Sequence, residues 1–72
     1  MKKVLVFKTS VKNSKEVKKL KPILNTLTSS NGKWNFDLED CDNILRVETH
    51  HLRPLIISST LQANGFYCEE LL

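Results

Sequence analysis

The segment from Trp34 to Thr49 constrains the fold most, because it has the pattern of a β-hairpin. Its first arm alternates apolar and polar side chains, as a strand with one buried face does. The second arm begins at Ile44 and alternates less strictly. Between the arms lie four polar residues that favour turns and one thiol, Cys41. The pattern predicts two antiparallel strands of similar length.

The chain before the hairpin predicts a strand followed by a helix. The short apolar run from Val4 to Phe7 is typical of a central strand. Asn13 and Glu16 have the spacing of a capping box, so a helix should begin near Ser14. Its apolar positions recur at helical spacing, and they are Val17, Leu20, Ile23, Leu24 and Leu27.

Two features complicate the limits of this first helix. Pro22 lacks an amide hydrogen and crowds the preceding turn, so we expect either a kink there or a helix that starts later. The polar stretch from Thr28 to Gly32 should end the helix, with Asn31 or Gly32 in the left-handed conformation.

After the hairpin, Pro54 suits the first turn of a second helix that should run to about Ala63. Ile57 and Leu61 lie four residues apart, and Leu55 and Ile56 should widen the buried stripe. The Asn64-Gly65 pair ends this helix, and residues 66–72 should form a last strand, with Phe66 and Cys68 on one face.

The order β-α-β-β-α-β predicts an α+β fold of the ferredoxin-like type. Right-handed crossovers give a four-stranded antiparallel sheet in the order 4-1-3-2, with both helices on one face. We expect a single domain over residues 1–72, because a chain of this length has room for one core.

Composition and cysteine content bound the location. No apolar run approaches the length of about 20 residues that a membrane span needs. The apolar stretch near the start is too short for a signal peptide. Two cysteines are too few for a disulfide framework, so reduced thiols and a cytoplasmic location are expected.

Charge is distributed unevenly along the chain. Up to Lys33 there are nine lysines and one glutamate, a net charge of +8, whereas the remainder carries two arginines and seven carboxylates, a net charge of −5. One interpretation is that a solvated lysine-rich helix face is attracted to the protein's own acidic sheet. The other is a basic face for an acidic partner or a nucleic acid.

The hairpin FDLEDCDNILRVE and the helix ending LQANGF resemble those of heavy-metal-associated domains, the family of copper chaperones. The resemblance implies a metal loop after the first strand, where this family has Met-Thr-Cys-x-x-Cys. Registering the family's helix on Val17 puts Ser10 and Asn13 in place of the two cysteines and Lys8 in place of the methionine. Hydroxyl and amide groups are poor ligands for soft metals, so we expect neither the usual metal site nor a cofactor.

The remaining thiols and histidines offer few ligands. Cys68 should be a small buried hydrophobe, which leaves Cys41 as the weak candidate for a displaced metal site. His50 and His51 are adjacent and should point to opposite sides of an extended segment. The acidic hairpin tip lacks the spacing of an EF-hand calcium loop.

RNA-binding domains of this topology stack bases on aromatics of the central strands, and the third strand has none. The sequence therefore argues against nucleic-acid binding, and it contains no catalytic constellation. If Val4 and Val6 face the helices, as the resemblance implies, then Leu5 and Phe7 face outward with Ile44 and form a surface for an unknown protein partner or for self-association.

The sequence therefore predicts a small non-enzymatic protein-binding module. The alternative is a metal-binding or metal-trafficking protein that uses Cys41, and nucleic-acid binding is a remote third interpretation.

Overall fold

The computed structural model describes residues 2–29, 32–39 and 41–71 of the chain. The elements, in chain order, are β1 (Lys3–Thr9), α1 (Ser14–Thr28), β2 (Lys33–Asp37), β3 (Ile44–Thr49), α2 (Pro54–Ala63) and β4 (Cys68–Glu70). This β-α-β-β-α-β order confirms the predicted α+β ferredoxin-like fold.

The four strands form one antiparallel sheet in the order β2-β3-β1-β4. This is the predicted order 4-1-3-2 read from the opposite edge. Leu45 of β3 lies opposite both Phe7 of β1 and Phe36 of β2. The last strand has three residues, fewer than predicted, although Leu71 still donates its amide hydrogen to the Val6 carbonyl at 2.8 Å.

The orientation predicted for β1 is wrong. Leu5 and Phe7 are buried in the core, with Phe7 fully inaccessible, whereas Val4 is 59% exposed on the opposite face. Burying leucine and phenylalanine removes more apolar surface from water than burying two valines, so the larger pair faces inward. Ile44 is also buried, but it lies outside the core cluster, on the face of the sheet that bears Lys8, its neighbour on β1.

Helix α1 begins where the capping residues predict. The Asn13 side chain accepts a hydrogen bond from the Glu16 amide at 2.9 Å, and the Glu16 carboxylate accepts one from the Lys12 amide at 2.7 Å. The helix continues through Pro22, so the alternative of a later start is wrong. Its core-facing side buries Leu20 and Leu24.

The end of α1 differs from expectation. Ser29, with φ 54°, takes the positive backbone angle, and Gly32 does not. Asn31 lies outside the described residues. Gly32 is needed for a different reason, because a Cβ atom there would lie 2.8 Å from the carbonyl oxygens of both Thr28 and Glu48.

Helix α2 has the predicted limits and a narrower buried face. Pro54 opens it, Ile57 and Leu61 are buried, and Gly65 follows its end with φ 87°. Leu55 and Ile56 are 71% and 46% exposed, so the expectation that they widen the buried stripe is wrong.

The core lies between the sheet and the helices. Its fully buried large side chains come from every layer, and they are Phe7, Val11, Leu20, Leu24, Leu45, Val47, Ile57 and Leu61. Among the described residues, neither helix is long and apolar enough to cross a membrane.

The orientation of β1 predicts that substitutions on its two faces differ in their effect on the free energy of unfolding. Phe7→Ala should lower the free energy of unfolding by about 3–5 kcal/mol, because it leaves a cavity in the core. Val4→Ala, on the exposed face of the same strand, should cost far less. Urea denaturation followed by circular dichroism measures both, and equal small losses would contradict the burial of Phe7.

Candidate binding surface

The two positions predicted to replace metal-binding cysteines both make main-chain hydrogen bonds. Ser10 donates its amide hydrogen to the Tyr67 carbonyl at 3.1 Å, and its hydroxyl oxygen accepts from the Tyr67 amide at 2.8 Å. Asn13 caps α1. The Ser10 side chain therefore holds the loop after β1 against the segment that leads into β4, and the Asn13 side chain fixes the start of α1.

Thr9 joins the same loop to the hairpin tip, a role that the sequence analysis missed. Its buried hydroxyl donates to the Asn43 carbonyl at 2.7 Å and accepts from the Val11 amide at 3.2 Å. Its own amide donates to the Asp42 carbonyl at 3.2 Å. The only signal in the sequence is a threonine at the inward-facing end of a strand, which is too common to be informative.

The structure does not bring the candidate metal ligands together. Cys41 is exposed at the hairpin tip, whereas Cys68 is 3% exposed and its burial raises the pKa of its thiol to about 11. His50 and His51 are both exposed. Within residues 2–29, 32–39 and 41–71, no group of three or more His, Cys, Asp or Glu side chains could hold a metal ion.

The three residues predicted as a partner surface do not form one. Leu5 and Phe7 face the helices, and Ile44, on the opposite face, is only 6% exposed. The side chains that are accessible on the open face of the sheet are instead mostly polar or charged.

Three ion pairs join charged side chains of the sheet and its adjoining segments. Lys2 contacts Glu48 at 2.6 Å, and this hydrogen bond and the charge of Lys2 lower the pKa of the Glu48 carboxyl. The other two pairs, at 3.6 and 3.8 Å, are Lys8 with Asp42 and Arg46 with Asp37. All three pairs are partly exposed, so each contributes little to stability.

The lysines on α1, together with Lys12 just before its N-cap, differ from these residues because they form no direct ion pair among the described residues. We define the lysine surface as Lys12, Lys15, Lys18, Lys19 and Lys21, all of them exposed. None of their ammonium groups lies within 4.0 Å of a carboxylate among the described residues. The interpretation that these lysines are neutralised by the acidic sheet is therefore not supported by any direct pair.

One aromatic side chain adjoins the lysine surface. The Lys19 ammonium lies 5.7 Å from the centroid of the Phe66 ring, within the range of a cation–π interaction. A surface cavity of about 600 Å³ lies here, and its lining residues are Asn13, Lys15, Glu16, Lys18, Lys19 and Phe66. The cavity combines cationic walls with an aromatic residue that is itself 9% exposed.

Sequence reasoning placed the lysines on the outer face of α1 but did not connect them with Phe66. The two segments are separated by most of the chain, so only the fold brings them together. Comparison with protein-family models, with curated proteins and with solved structures finds no match to this chain. The resemblance to heavy-metal-associated domains therefore stays a prediction.

The two cysteines should differ sharply in reactivity. An aromatic disulfide reagent should modify Cys41 quickly in the native protein and Cys68 only after unfolding, because the reactive form is an accessible thiolate. Cys41→Ser should abolish the fast phase alone. Modification of both thiols at the same rate under native conditions would contradict the burial of Cys68.

Proposed function

We propose that this protein is a non-enzymatic binding module that recognises an acidic segment of a protein partner through the lysine surface. The observation that carries the proposal is the contrast in charge pairing. All three direct ion pairs among the described residues lie on the sheet or the segments beside it, although Lys3 and Lys33 of the sheet form none, whereas none of the five lysines has a direct carboxylate partner there. A carboxylate-rich segment would supply those partners.

The cavity beside Phe66 favours a polypeptide over a nucleic acid. Phe66 is largely covered, so its ring offers little area on which a base could stack. The Glu16 carboxylate lines the same cavity and would repel any anionic group beside it, and a nucleic acid carries such a group at every nucleotide. A peptide avoids both problems, because its own side chains can alternate acidic and apolar groups.

The loop after β1 supports a role other than metal transfer. Ser10 and Asn13 are engaged in hydrogen bonds that hold the loop and start α1. In this proposal the chain is a heavy-metal-associated-like domain without the usual metal site. A cytoplasmic location fits its two unpaired cysteines.

A fluorescent peptide in which glutamates surround one phenylalanine tests this binding. The variant Lys15→Gln/Lys18→Gln/Lys19→Gln should weaken the affinity about tenfold, because three exposed ion pairs of about 0.5 kcal/mol each are lost. Fluorescence anisotropy gives the dissociation constants for both proteins.

A matched control distinguishes the effect of removing the lysine surface from the effect of lowering the net charge. Lys2→Gln/Lys3→Gln/Lys8→Gln removes the same charge from β1 and the residue before it, and should leave peptide affinity nearly unchanged. Equal losses in the two variants, or equal affinity for a peptide with glutamine in place of glutamate, would refute the proposal. Tighter binding of a single-stranded RNA of equal charge would assign the surface to nucleic acid.

The alternative of metal trafficking through Cys41 makes a different prediction. Native mass spectrometry of the reduced protein with one equivalent of Cu(I) or Zn²⁺ should show no stoichiometric adduct. A single exposed thiol supplies only one of the ligands that these ions require. A one-to-one adduct that disappears in Cys41→Ala would favour the metal-binding function.

A further inference from the structure

Strand β2 is an edge strand whose outer side is open. It pairs only with β3, and no hydrogen bond among the described residues engages the outer main-chain groups of Lys33–Asp37. At the opposite edge, β4 presents three residues. A five-residue open edge is a template on which another strand can pair.

The sequence of β2, KWNFD, is complementary to itself when read in the opposite direction. In an antiparallel pair of two copies centred on Asn35, each Lys33 lies opposite an Asp37. Each Trp34 lies opposite a Phe36, and Asn35 faces its own copy. Opposite charges and aromatic pairs at directly facing positions both stabilise antiparallel strands.

The aromatic residues of β2 are suited to this pairing. Trp34 and Phe36 lie on the core side of the sheet, each only partly buried, with ring centroids 5.9 Å apart in an edge-to-face arrangement. The Trp34 indole donates a hydrogen bond to the Asn25 side chain of α1 at 2.8 Å, which fixes the ring. A second copy would cover aromatic surface that one copy leaves exposed to water.

Neither charged residue at the ends of β2, Lys33 or Asp37, forms a hydrogen-bonded ion pair among the described residues of one copy. The Asp37 carboxylate accepts a hydrogen bond from the Glu39 amide at 3.2 Å through Oδ1, and its Oδ2 lies 3.8 Å from the Arg46 guanidinium, which is too long for a hydrogen bond. The Lys33 ammonium has no described carboxylate within 4.0 Å. Both side chains are therefore able to pair across an interface.

We propose that two copies of this chain associate through antiparallel pairing of β2 with β2, centred on Asn35, to form a symmetric dimer with one continuous eight-stranded sheet. A two-fold axis perpendicular to the sheet puts the helices of both copies on the same side. The lysine surfaces would then face the same direction, although the dimer does not depend on the binding function proposed above.

Sedimentation velocity from micromolar to millimolar protein tests the dimer, and wild type should show a concentration-dependent monomer–dimer equilibrium. In the proposed register, position 33 of each copy lies opposite position 37 of the other copy. Lys33→Asp therefore puts two carboxylates opposite each other at both of these places, and Asp37→Lys puts two ammonium groups opposite each other at both. Each variant alone should dissociate about tenfold more readily than wild type, because like charges directly opposite destabilise paired strands.

Mixing these two variants is the decisive step. An equimolar mixture restores an opposite-charge pair at every charged position and should recover wild-type association. A second pair of variants, Asn35→Glu and Asn35→Lys, leaves the Asp37 contacts intact and should behave in the same way. Circular dichroism checks that every variant is folded.

Three results would overturn the proposal. Wild type could remain monomeric at millimolar concentration, in which case an extended segment of another protein would be the partner that pairs with the β2 edge. The single variants could dimerise as strongly as wild type, which would locate the interface elsewhere. Finally, the equimolar mixtures of complementary variants could fail to associate although each variant is folded, which would rule out the proposed register. Because no acidic peptide is present, failure here is distinct from failure of the binding function.

Discussion

The burial of one face of β1 is the constraint on which the rest of the structure depends. β1 is a central strand, paired with β3 on one side and β4 on the other, and Phe7 is fully buried beneath the helices. Because side chains alternate along a strand, placing Phe7 and Leu5 inward fixes the outward direction of Val4 and Lys8. The registers of β3 and β4 then align their own buried residues, Leu45 and Cys68, with the same core.

This constraint also determines where the charges lie. The outward face of the sheet brings Arg46 of β3 close enough to pair with Asp37 of β2. It also brings Lys8 of β1 close enough to pair with Asp42 of the hairpin turn. The inner side of α1 packs Leu20 and Leu24 into the core, and on its outer side no described carboxylate lies within 4.0 Å of a lysine ammonium group. The lysine surface is thus a consequence of the fold as well as of the composition.

Much of the fold could be predicted because its signals are local. The alternation of β2, the Asn13 cap, Pro54 and the Asn64-Gly65 stop each act within a few residues, and each predicted its element. The direction of β1 could not be read in this way. Four consecutive apolar residues have no polar partner to mark the outer face, and the choice depends on which side chains fill the space beneath two helices.

The candidate surfaces were harder to predict, since each depends on residues that are distant in sequence or on what the fold leaves uncovered. Phe66, which precedes β4, is brought beside Lys19 of α1 by the fold. The openness of β2 follows from its position at the edge of the sheet. A pattern of alternating residues predicts a strand, but it does not distinguish an edge strand from a central one with one exposed face.

The loop end of the sheet explains why both candidate surfaces lie elsewhere. Thr9, Ser10 and Asn13 use their side chains to satisfy main-chain groups of the loop, the hairpin tip and the first turn of α1. In a small domain, which buries a limited fraction of its surface, such bonds help to fix short connections that the core does not cover. The oxygen atoms that make these bonds already interact with main-chain groups, and the remaining lone pairs of a hydroxyl or amide are poor ligands for a soft metal. Among the described residues, the ammonium groups along α1 and the outer main-chain groups of β2 make no such bonds, which is why both proposals place recognition on these parts of the molecule.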